Sequence, residues 1–376
     1  MTEGQSKEKS LSIALKEIFL NDYHKDNHAK FIPFSGYSMP INYDLGIIKE
    51  HLHVRELVGV FDVSHMGQIL ISNSKHNTSS LEQYIPLNLG KLEFNKSKYS
   101  FLLNVNGGII DDIIISKIII NDNEFFFIVY NADRKTVDNK IFEKILNDYI
   151  YIHDKSLISI QGPLSYSSLS FLKIKPDMNF MQINSTNFQE QEIIISRSGY
   201  TGEDGFEISI PNIILKNFMD KLMKSTNVIL CGLGSRDTLR MEAGLSLYGN
   251  ELTEEITPVE AKLLWAIDRN RLKECNFNGC KTILHQIKNG VKKIKIGIKS
   301  VTKTMLRSQM KIFDEKEKEI GFISSGGFSP SLKVSIGLGY VDINHQDNKL
   351  FCLIRDKMEK IEIVKLPFIS HKYKKG

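Results

Sequence analysis

Two adjacent carboxylates open the most apolar strand that the sequence predicts. Asp111 and Asp112 follow Gly107-Gly108 and precede the isoleucine run 113–115. A carboxylate in such surroundings is unfavourable unless it is exposed, paired or functional. Because side chains alternate along a strand, the two carboxylates point to opposite faces, so at most one of them enters a given cavity. The residues alone leave two interpretations open: capping of the glycine turn, or chemistry.

A third carboxylate follows a glycine-rich segment. Gly199, Gly202 and Gly205 fall within seven residues, a density that lets the backbone turn tightly or approach a ligand closely. Glu207 then lies between two apolar residues at the start of a predicted strand. Pairing with a structural arginine and binding of a polar ligand both account for a carboxylate at this position.

A glycine-containing turn also precedes an arginine-rich helix. Gly232 and Gly234 are similar to the start of a dinucleotide-binding loop, but Asp237 stands where the third glycine belongs and no βαβ unit surrounds the segment. A nucleotide site is therefore not predicted. Ser235 is the predicted N-cap of a helix over 236–243, whose first residue is an arginine.

The histidines and cysteines do not form a recognisable reactive group. His65 has no Ser/His/Asp order and no metal spacing around it, and His51 and His53 point to different sides of a predicted helix, so structural roles are predicted for all three. The four cysteines contain no CxxC pair. A bond between Cys275 and Cys280 across a polar turn is conceivable, but the interpretation adopted is four reduced thiols in a reducing compartment.

The elements that must position these residues follow from hydrophobic periodicity. Helices are predicted over 10–20, 44–60 and 213–224. Strands dominate from 61 to 129, and the stretch 109–130 is typical of a hairpin. Beyond residue 290 a small antiparallel barrel of about 80–100 residues is predicted. Its five predicted strands are 291–298, 320–325, 334–341, 350–354 and 361–364.

Composition excludes several classes of protein. The chain has 376 residues, with 49 Lys and Arg against 44 Asp and Glu, which gives a net charge of +5. The hydrophobic fraction of 41% and the length favour a globular protein of two or three domains, not a disordered chain, a collagen-like fibre or a disulfide scaffold. The mild charge argues against a dedicated nucleic-acid binder, and no apolar run reaches the roughly 18–20 residues of a membrane span.

Taken in order, these segments resemble the aminomethyltransferase (T-protein) family of the glycine cleavage system, over nearly the whole chain. The resemblance implies an α+β fold of three lobes around a central funnel, with a C-terminal antiparallel β-barrel. It further implies a catalytic region over 1–275, with a second lobe at roughly 55–150, and the barrel over 276–376. The matching segments are HAKFIPFSGYSMP (28–40), FDVSHM (61–66), GGIIDD (107–112), QGP (161–163), GYTGE (199–203), LSLYG (245–249), PVE (258–260), FSPSL (328–332) and PF (367–368).

The family's activity is transfer of the methylene of an aminomethyl group from the lipoyl arm of the H-protein to tetrahydrofolate, with release of ammonia. The resemblance makes Asp112 the catalytic carboxylate, Glu207 the pterin-binding carboxylate and Arg236 a ligand-binding arginine suited to the glutamate tail. It implies no metal. Further residues fall on the family's cavity-lining positions: Tyr200, Asn131, Val129, Tyr99, Met66, Trp265 and Tyr373. For Trp265, a place in the ordinary core remains an equally open interpretation.

Partners and location are implied by the same resemblance. The predicted partner is the lipoylated H-protein, with no nucleic acid and no membrane, and a monomer is expected. The predicted location is the mitochondrial matrix in a eukaryote, although the N-terminus shows no clear presequence, and the cytoplasm otherwise. Lysines of the predicted barrel and the C-terminal tail would form a basic rim that steers an acidic carrier protein: Lys292, Lys293, Lys295, Lys299, Lys372, Lys374 and Lys375. Taken alone, each of the two clusters is better interpreted as a solvated strand face or a frayed terminus.

Three alternatives were weighed against the resemblance. The folate half of a sarcosine- or dimethylglycine-type flavoenzyme would need a long N-terminal flavin domain, and only a short segment precedes the match. The folate-dependent iron–sulfur maturation protein carries a Lys-Gly-Cys string that this sequence lacks. A non-catalytic folate-binding module would not need Asp112, and an activity measurement separates it from an enzyme.

Overall fold

A computed structural model describes residues 14–302, 304–345, 349–354 and 357–375 of the chain. Strands and helices follow one another throughout this part. The strands are β1 (Lys16–Glu17), β2 (Lys30–Phe34), β3 (Tyr37–Asn42), β4 (Val58–Asp62), β5 (Gly67–Ser72), β6 (Lys96–Leu103), β7 (Ile109–Ile120), β8 (Asn123–Tyr130), β9 (Tyr149–Tyr151), β10 (Lys155–Gln161), β11 (Ile183–Phe188), β12 (Gln191–Ser196), β13 (Gly205–Pro211), β14 (Val228–Leu230), β15 (Lys293–Ser300), β16 (Lys311–Phe313), β17 (Glu319–Ser329), β18 (Val334–Asp342), β19 (Leu350–Ile354) and β20 (Lys357–Val364). The helices are α1 (Asn21–Asp26), α2 (Gly46–Glu56), α3 (Lys75–Tyr84), α4 (Lys135–Ile145), α5 (Ser165–Phe171), α6 (Asn212–Leu222), α7 (Leu233–Glu242), α8 (Arg269–Glu274) and α9 (Cys280–Asn289).

A five-stranded antiparallel sheet carries the Asp pair. Its strand order is β6-β7-β8-β5-β9, and the predicted hairpin is formed by β7 and β8. Apolar side chains on one face of the sheet pack against helices α3 and α4, with Ile113 and Ile115 of β7 in contact with the cluster that contains Phe142 of α4. This side of the sheet is therefore closed, and a ligand has access only from the other face.

A six-stranded sheet forms the neighbouring lobe. Its order is β11-β12-β13-β10-β4-β14, antiparallel except for the β4–β14 pair. The predicted helix over 213–224 is α6, and its buried face packs with Phe206 and Ile208 of β13 in the largest apolar cluster. The predicted helix over 44–60 is shorter than expected, because Val58 already pairs with Val228 as the start of β4.

The C-terminal strands close into an antiparallel barrel. Its order is β15-β18-β17-β16-β19-β20, and its interior holds Ile296, Ile298 and Ile323. All five predicted strands are present within it, whereas the three-residue β16 is too short to show a pattern in the sequence. The barrel packs against the rest of the molecule through a shared apolar cluster in which Tyr340 of β18 meets Phe101 of β6.

The helix predicted over 10–20 is wrong for its described part; residues 10–13 lie outside the described residues. Lys16 and Glu17 instead pair in parallel with Tyr37 and Ser38 of β3, completing a three-stranded sheet of order β1-β3-β2. Helical spacing of a few apolar residues is a weak signal where the segment can pair with a neighbouring strand. The hydrogen bonds of that pairing stabilise the segment more than a short amphipathic helix would.

The prediction of four reduced thiols is wrong for one pair. Cys275 and Cys280 form a disulfide, while Cys231 and Cys352 are free and buried. Cys275 ends α8 in the left-handed region at φ 49°, and Gly279 precedes α9 at φ 74°. This turn brings the two Cα atoms to 5.4 Å, within the range that a disulfide needs.

A buried carboxylate ties the lobes together. Glu242 of α7 accepts hydrogen bonds from His51 at 3.0 Å, from Arg55 at 2.8 Å and from the Ser331 hydroxyl at 2.7 Å. Its partners come from α2 and from the barrel, so one side chain joins three parts of the fold. Burial alone would raise the pKa of Glu242, but the bonds from His51, Ser329 and Ser331 outweigh it and lower the pKa to about 2. His51 thus has the structural role predicted for it.

Candidate functional site

One cavity of about 1380 Å³ lies between the lobes and the barrel, and every predicted site residue lines it. The residues come from strands of both large sheets, from helix α7, from the loop before α8 and from the segment after β20. The ten are Met66, Tyr99, Asp112, Val129, Asn131, Tyr200, Glu207, Arg236, Trp265 and Tyr373. Residues distant in sequence are therefore brought together as the resemblance implied, while their roles stay predictions.

Asp112 projects into the cavity from β7, and Asp111 projects to the closed face of the same sheet. Asp112 lines the cavity, whereas Asp111 is fully buried on the helix-covered side. The turn before β7 depends on glycine, because a Cβ on Gly108 would lie 1.7 Å from the Glu254 carbonyl oxygen. This close approach fixes where the strand begins, and hence which carboxylate faces the cavity.

Asn131 joins the two carboxylates at the end of β8. Its Nδ2 donates to Asp111 Oδ1 at 2.7 Å and to Asp112 Oδ1 at 2.8 Å, and its backbone N–H donates to Asp111 Oδ2 at 2.9 Å. Burial first, and then the charge of Asp111, raise the pKa of Asp112 to about 7, against the hydrogen bond from Asn131. Asp112 is therefore a half-buried carboxyl with a pKa near neutral pH, a property typical of groups that handle protons.

Glu207 and Arg236 form the polar part of another wall. Glu207 lies on β13 and accepts a hydrogen bond from the Ser198 hydroxyl at 2.9 Å. The Arg236 guanidinium lies over the Tyr200 ring at 4.9 Å, and its Nη1 is buried without a hydrogen-bond partner. Burial lowers the pKa of Arg236, while the nearby Glu207 charge opposes that change. An unpartnered buried donor beside a carboxylate suits a ligand that carries both acceptors and N–H donors.

Aromatic side chains supply the apolar walls. Trp265 stacks on Tyr99 with ring centroids 5.4 Å apart and is 69% exposed, which excludes the core interpretation for this residue. Tyr373 stacks on Phe180 at 3.9 Å. Flat rings that line a cavity offer stacking surfaces for a heteroaromatic ligand.

Two cavity residues were missed by the sequence reasoning. Lys295, assigned above to an exposed basic rim, is only 4% exposed and donates to the Ser246 hydroxyl at 2.7 Å, and burial lowers its pKa to about 8. It lies on the outer face of β15, and that face packs against the cavity and not against solvent. His65 lines the cavity with Nδ1 unpartnered, and burial lowers its pKa to about 3, so the ring is neutral. Alternation in β15 places Lys295 on the outer face of the barrel but does not show that this face closes a cavity.

The predicted N-cap on α7 is also wrong. The helix begins at Leu233 with Gly232 as its N-cap, three residues earlier than expected. A Cβ on Gly232 would lie 2.3 Å from the Ile41 backbone, so the helix start packs directly on β3. The Ser235 hydroxyl instead donates to Glu50 at 3.0 Å. Ser235 therefore anchors the helix that carries Arg236 instead of capping it.

Within the described part of the chain, His, Cys, Asp and Glu side chains do not gather into a group of three or more that could hold a metal ion. The helices of that part also lack the length and apolar character required to cross a membrane.

Comparison with known families assigns the chain. The family model described as the GCVT N-terminal domain matches residues 20–271, and the model of the glycine cleavage T-protein C-terminal barrel domain matches residues 294–369. The chain belongs to the glycine cleavage T-protein family. The family membership predicted from the sequence is therefore confirmed.

Curated relatives of the T-protein family match along nearly their whole length. The mitochondrial aminomethyltransferase of Flaveria trinervia is 37% identical over 96% of this chain and 91% of its own. That of Dictyostelium discoideum is 37% identical over 97% and 95%. The aminomethyltransferase of Thermoanaerobacter pseudethanolicus is 36% identical over 96% and 99%. These relatives confirm the predicted enzyme class, a folate-dependent aminomethyltransferase of glycine cleavage.

A solved T-protein structure matches the fold. The glycine cleavage system aminomethyltransferase T from Bartonella henselae superposes with a TM-score of 0.91 at 34% identity, over 96% of this chain and all of that one. The predicted fold class, an α+β T-protein architecture with a C-terminal antiparallel barrel, is confirmed by this match and by the closed six-stranded barrel.

Proposed function

We propose that the cavity binds tetrahydrofolate and the aminomethyl-loaded lipoyl arm of an H-protein. The products are ammonia, 5,10-methylenetetrahydrofolate and the dihydrolipoyl H-protein. The observation that carries this proposal is the meeting of Asp112, Glu207 and Arg236 in one cavity, where Asp112 titrates near neutral pH and Arg236 keeps an unpartnered donor. The folate is a co-substrate here, and no metal is required.

Asp112 would act at the reacting nitrogen. When folate N5 attacks the methylene carbon and ammonia leaves, positive charge develops near N5. An ionised carboxylate held at that point stabilises the charge and accepts the N5 proton, which passes to the departing amino group. N10 then bonds the same carbon as the bond from that carbon to the lipoyl sulfur breaks, and the N10 proton passes to the sulfur. Because Asn131 fixes one Asp112 oxygen at 2.8 Å, the carboxylate is positioned before substrate arrives.

Glu207 and Arg236 would hold the two ends of the folate. The paired N–H donors of the pterin pyrimidine ring match the two oxygens of the Glu207 carboxylate, which has one donor, Ser198, at 2.9 Å. A carboxylate of the p-aminobenzoyl-glutamate tail would accept from Arg236, whose buried Nη1 otherwise lacks a partner. The stacked pair Tyr99 and Trp265 offers an aromatic surface to the rings between them.

Partner, domains and location complete the proposal. The protein would act as a monomer and bind the lipoylated H-protein. Its chain would divide into a catalytic region over 1–275, with a second lobe at roughly 55–150, and a barrel over 276–376. The matched ranges 20–271 and 294–369 support that division. The mitochondrial matrix is the proposed location for a eukaryotic source and the cytoplasm otherwise, as relatives of both kinds suggest.

The test is a turnover assay with purified protein, tetrahydrofolate and aminomethyl-loaded H-protein. Formation of ammonia and 5,10-methylenetetrahydrofolate in equal amounts, dependent on both substrates, is the expected result. Folate binding without turnover would instead identify a non-catalytic folate-binding module and overturn the proposal.

A further inference from the structure

A second buried carboxyl lies behind the Asp pair, on the closed side of the sheet. Asp138 lies in the first turn of α4 and is fully buried, and neither of its carboxyl oxygens accepts a hydrogen bond from a donor in the described part of the chain. It faces the carboxyl of Asp111. A buried acceptor without a donor is unfavourable by about 1–3 kcal/mol, and by more when it is charged. The pair therefore requires an explanation.

Among the described residues, the side-chain donors around Asp138 either bond to other groups or do not reach its carboxyl. The hydroxyls of Tyr130 on β8 and Tyr151 on β9 donate to Asn139, at 2.7 and 3.3 Å. The Tyr248 hydroxyl donates to the Ile109 carbonyl at 3.1 Å. Arg134, one turn before Asp138, pairs through Nη2 with Glu254 at 2.5 Å, and its buried Nε makes no hydrogen bond to Asp138. The remaining charged neighbour is Asp112 on β7, which is an acceptor.

Asp111 is equally unable to donate while it holds Asn131. Both of its oxygens accept from Asn131, one from Nδ2 and the other from the backbone N–H. Two acceptors therefore face each other in a space without water-exposed surface. A proton shared between them resolves the conflict, because a protonated carboxyl has one O–H to donate.

We propose that Asp138 is a positioning residue: its carboxyl keeps a proton at neutral pH and donates a hydrogen bond to Asp111, which stays ionised and holds Asn131 against Asp112. Burial and the adjacent Asp111 charge raise the pKa of Asp138 to about 10, with Arg134 opposing them. The sequence of contacts runs from Asp138 through Asp111 and Asn131 to Asp112. The closed face of the sheet thereby sets the orientation and the charge of the group in the cavity.

An infrared measurement tests the proton without any assumption about activity. At about pH 8.5 Asp112 is largely ionised while Asp138 keeps its proton, so the protein should show the C=O stretch of a protonated carboxyl. The band should be lost in Asp138→Asn and retained in Asp112→Asn. A band that survives Asp138→Asn, or that never appears in the unaltered protein, overturns the proposal.

Kinetics then test the positioning role, and this part rests on the proposed function. Asp138→Asn supplies an N–H donor of the same shape, so kcat should stay within about threefold and the pH profile should not move. Asp138→Leu removes the hydrogen-bond donor to Asp111, so Asp111 takes up a proton itself. A protonated Asp111 releases Asn131, and it no longer repels the charge on Asp112. A fall in kcat of about tenfold or more is expected, together with a shift of the acid limb to lower pH.

The outcomes separate this role from simple packing. If Asp138→Asn loses as much activity as Asp138→Leu, or if Asp138→Leu keeps the unaltered pH profile, Asp138 has only a structural role. Should Asp138→Leu fail to fold, the infrared comparison and Asp138→Asn still decide. A protein inactive towards loaded H-protein would disprove the proposed function but leave the infrared result for the proton intact.

Discussion

Asn131 Nδ2 lies 2.8 Å from Asp112 Oδ1 and connects that carboxylate with its neighbour on the opposite face of the sheet. The connection works because Asn131 follows directly on β8, beside the point where β7 carries the Asp pair. An amide that donates to both carboxylates fixes the rotamer of each. Asn131 thus couples the position of Asp112 to the carboxylate on the closed side of the sheet.

Replacing the carboxylate should separate catalysis from binding. We expect Asp112→Asn to lower kcat by about 10²- to 10⁴-fold, because the amide can neither accept a proton nor carry the charge that stabilises N5. Folate affinity, measured by calorimetry, should change little. Asp122→Asn, an exposed change in the β7–β8 turn, is the matched control. Near-normal turnover in Asp112→Asn would contradict the assigned role.

The pterin contact should appear in affinity. Glu207→Ala is expected to raise the Kd for tetrahydrofolate by about 10- to 100-fold, since a charge-assisted bond pair is removed from a partly buried wall. Glu93→Ala, at an exposed position, should leave the Kd unchanged. Calorimetric titration of each variant gives the answer, and equal affinities for the Glu207 variant and the unaltered protein would refute the contact.

The rate should depend on pH through Asp112. Its pKa of about 7 means that the active, ionised form is lost as the pH falls, so kcat/KM should decrease about tenfold per unit well below pH 7. The Asp111 charge is the second cause of the raised pKa after burial, so Asp111→Asn should move the acid limb to lower pH, even if the rate drops. An unchanged limb in Asp111→Asn, with Asp122→Asn as control, would show that another group titrates.

Stability should depend on Glu242. In Glu242→Gln, the new amide N–H faces at least one of the groups that donate to Glu242 in the unaltered protein, and the negative charge opposite Arg55 is lost. We therefore expect the free energy of unfolding to fall by about 3 kcal/mol. Chemical denaturation measures the change, and Glu56→Gln at the exposed end of α2 should stay within about 0.5 kcal/mol. Since the folded-state pKa of Glu242 is depressed to about 2, its contribution is present above about pH 4.5 and is lost as the pH falls towards 2.

Docking of the H-protein should depend on salt. Lys292, Lys374 and Lys375 are exposed, whereas Lys295 faces the cavity and no longer belongs to the rim. The KM for H-protein should rise with ionic strength, and less steeply in the triple variant Lys292→Gln, Lys374→Gln, Lys375→Gln. Lys216→Gln on α6 is the control. A KM that does not respond to salt would exclude electrostatic steering.

Local patterns predicted much of the fold. Alternation identified five of the six barrel strands and the β7–β8 hairpin, because their side chains contact either a core or a polar surface. The helix over 10–20 failed where strand pairing with β3 decided the structure, and the start of α7 was misplaced because Gly232 packs against β3. Such long-range contacts leave no local trace in the chain.

The site was predicted by resemblance more than by residue physics. Alternation did indicate that only one of Asp111 and Asp112 faces a cavity, and the structure gives that place to Asp112. Lys295 and His65 were missed because their surroundings come from other parts of the chain: the outer face of a barrel strand normally meets water, but here it closes a cavity. The Asp138–Asp111 pair could not be predicted from local patterns, because one residue lies on a helix and the other on a strand, and only the tertiary fold brings them together.

The stack of Trp265 on Tyr99 has a practical consequence. Trp265 is the chain's single tryptophan, and it lies on the wall of the cavity with most of its surface open to an incoming molecule. The intrinsic tryptophan fluorescence of this protein therefore comes from one indole at one site. Emission becomes a label-free reporter of that wall, free from the overlapping background that several tryptophans would create.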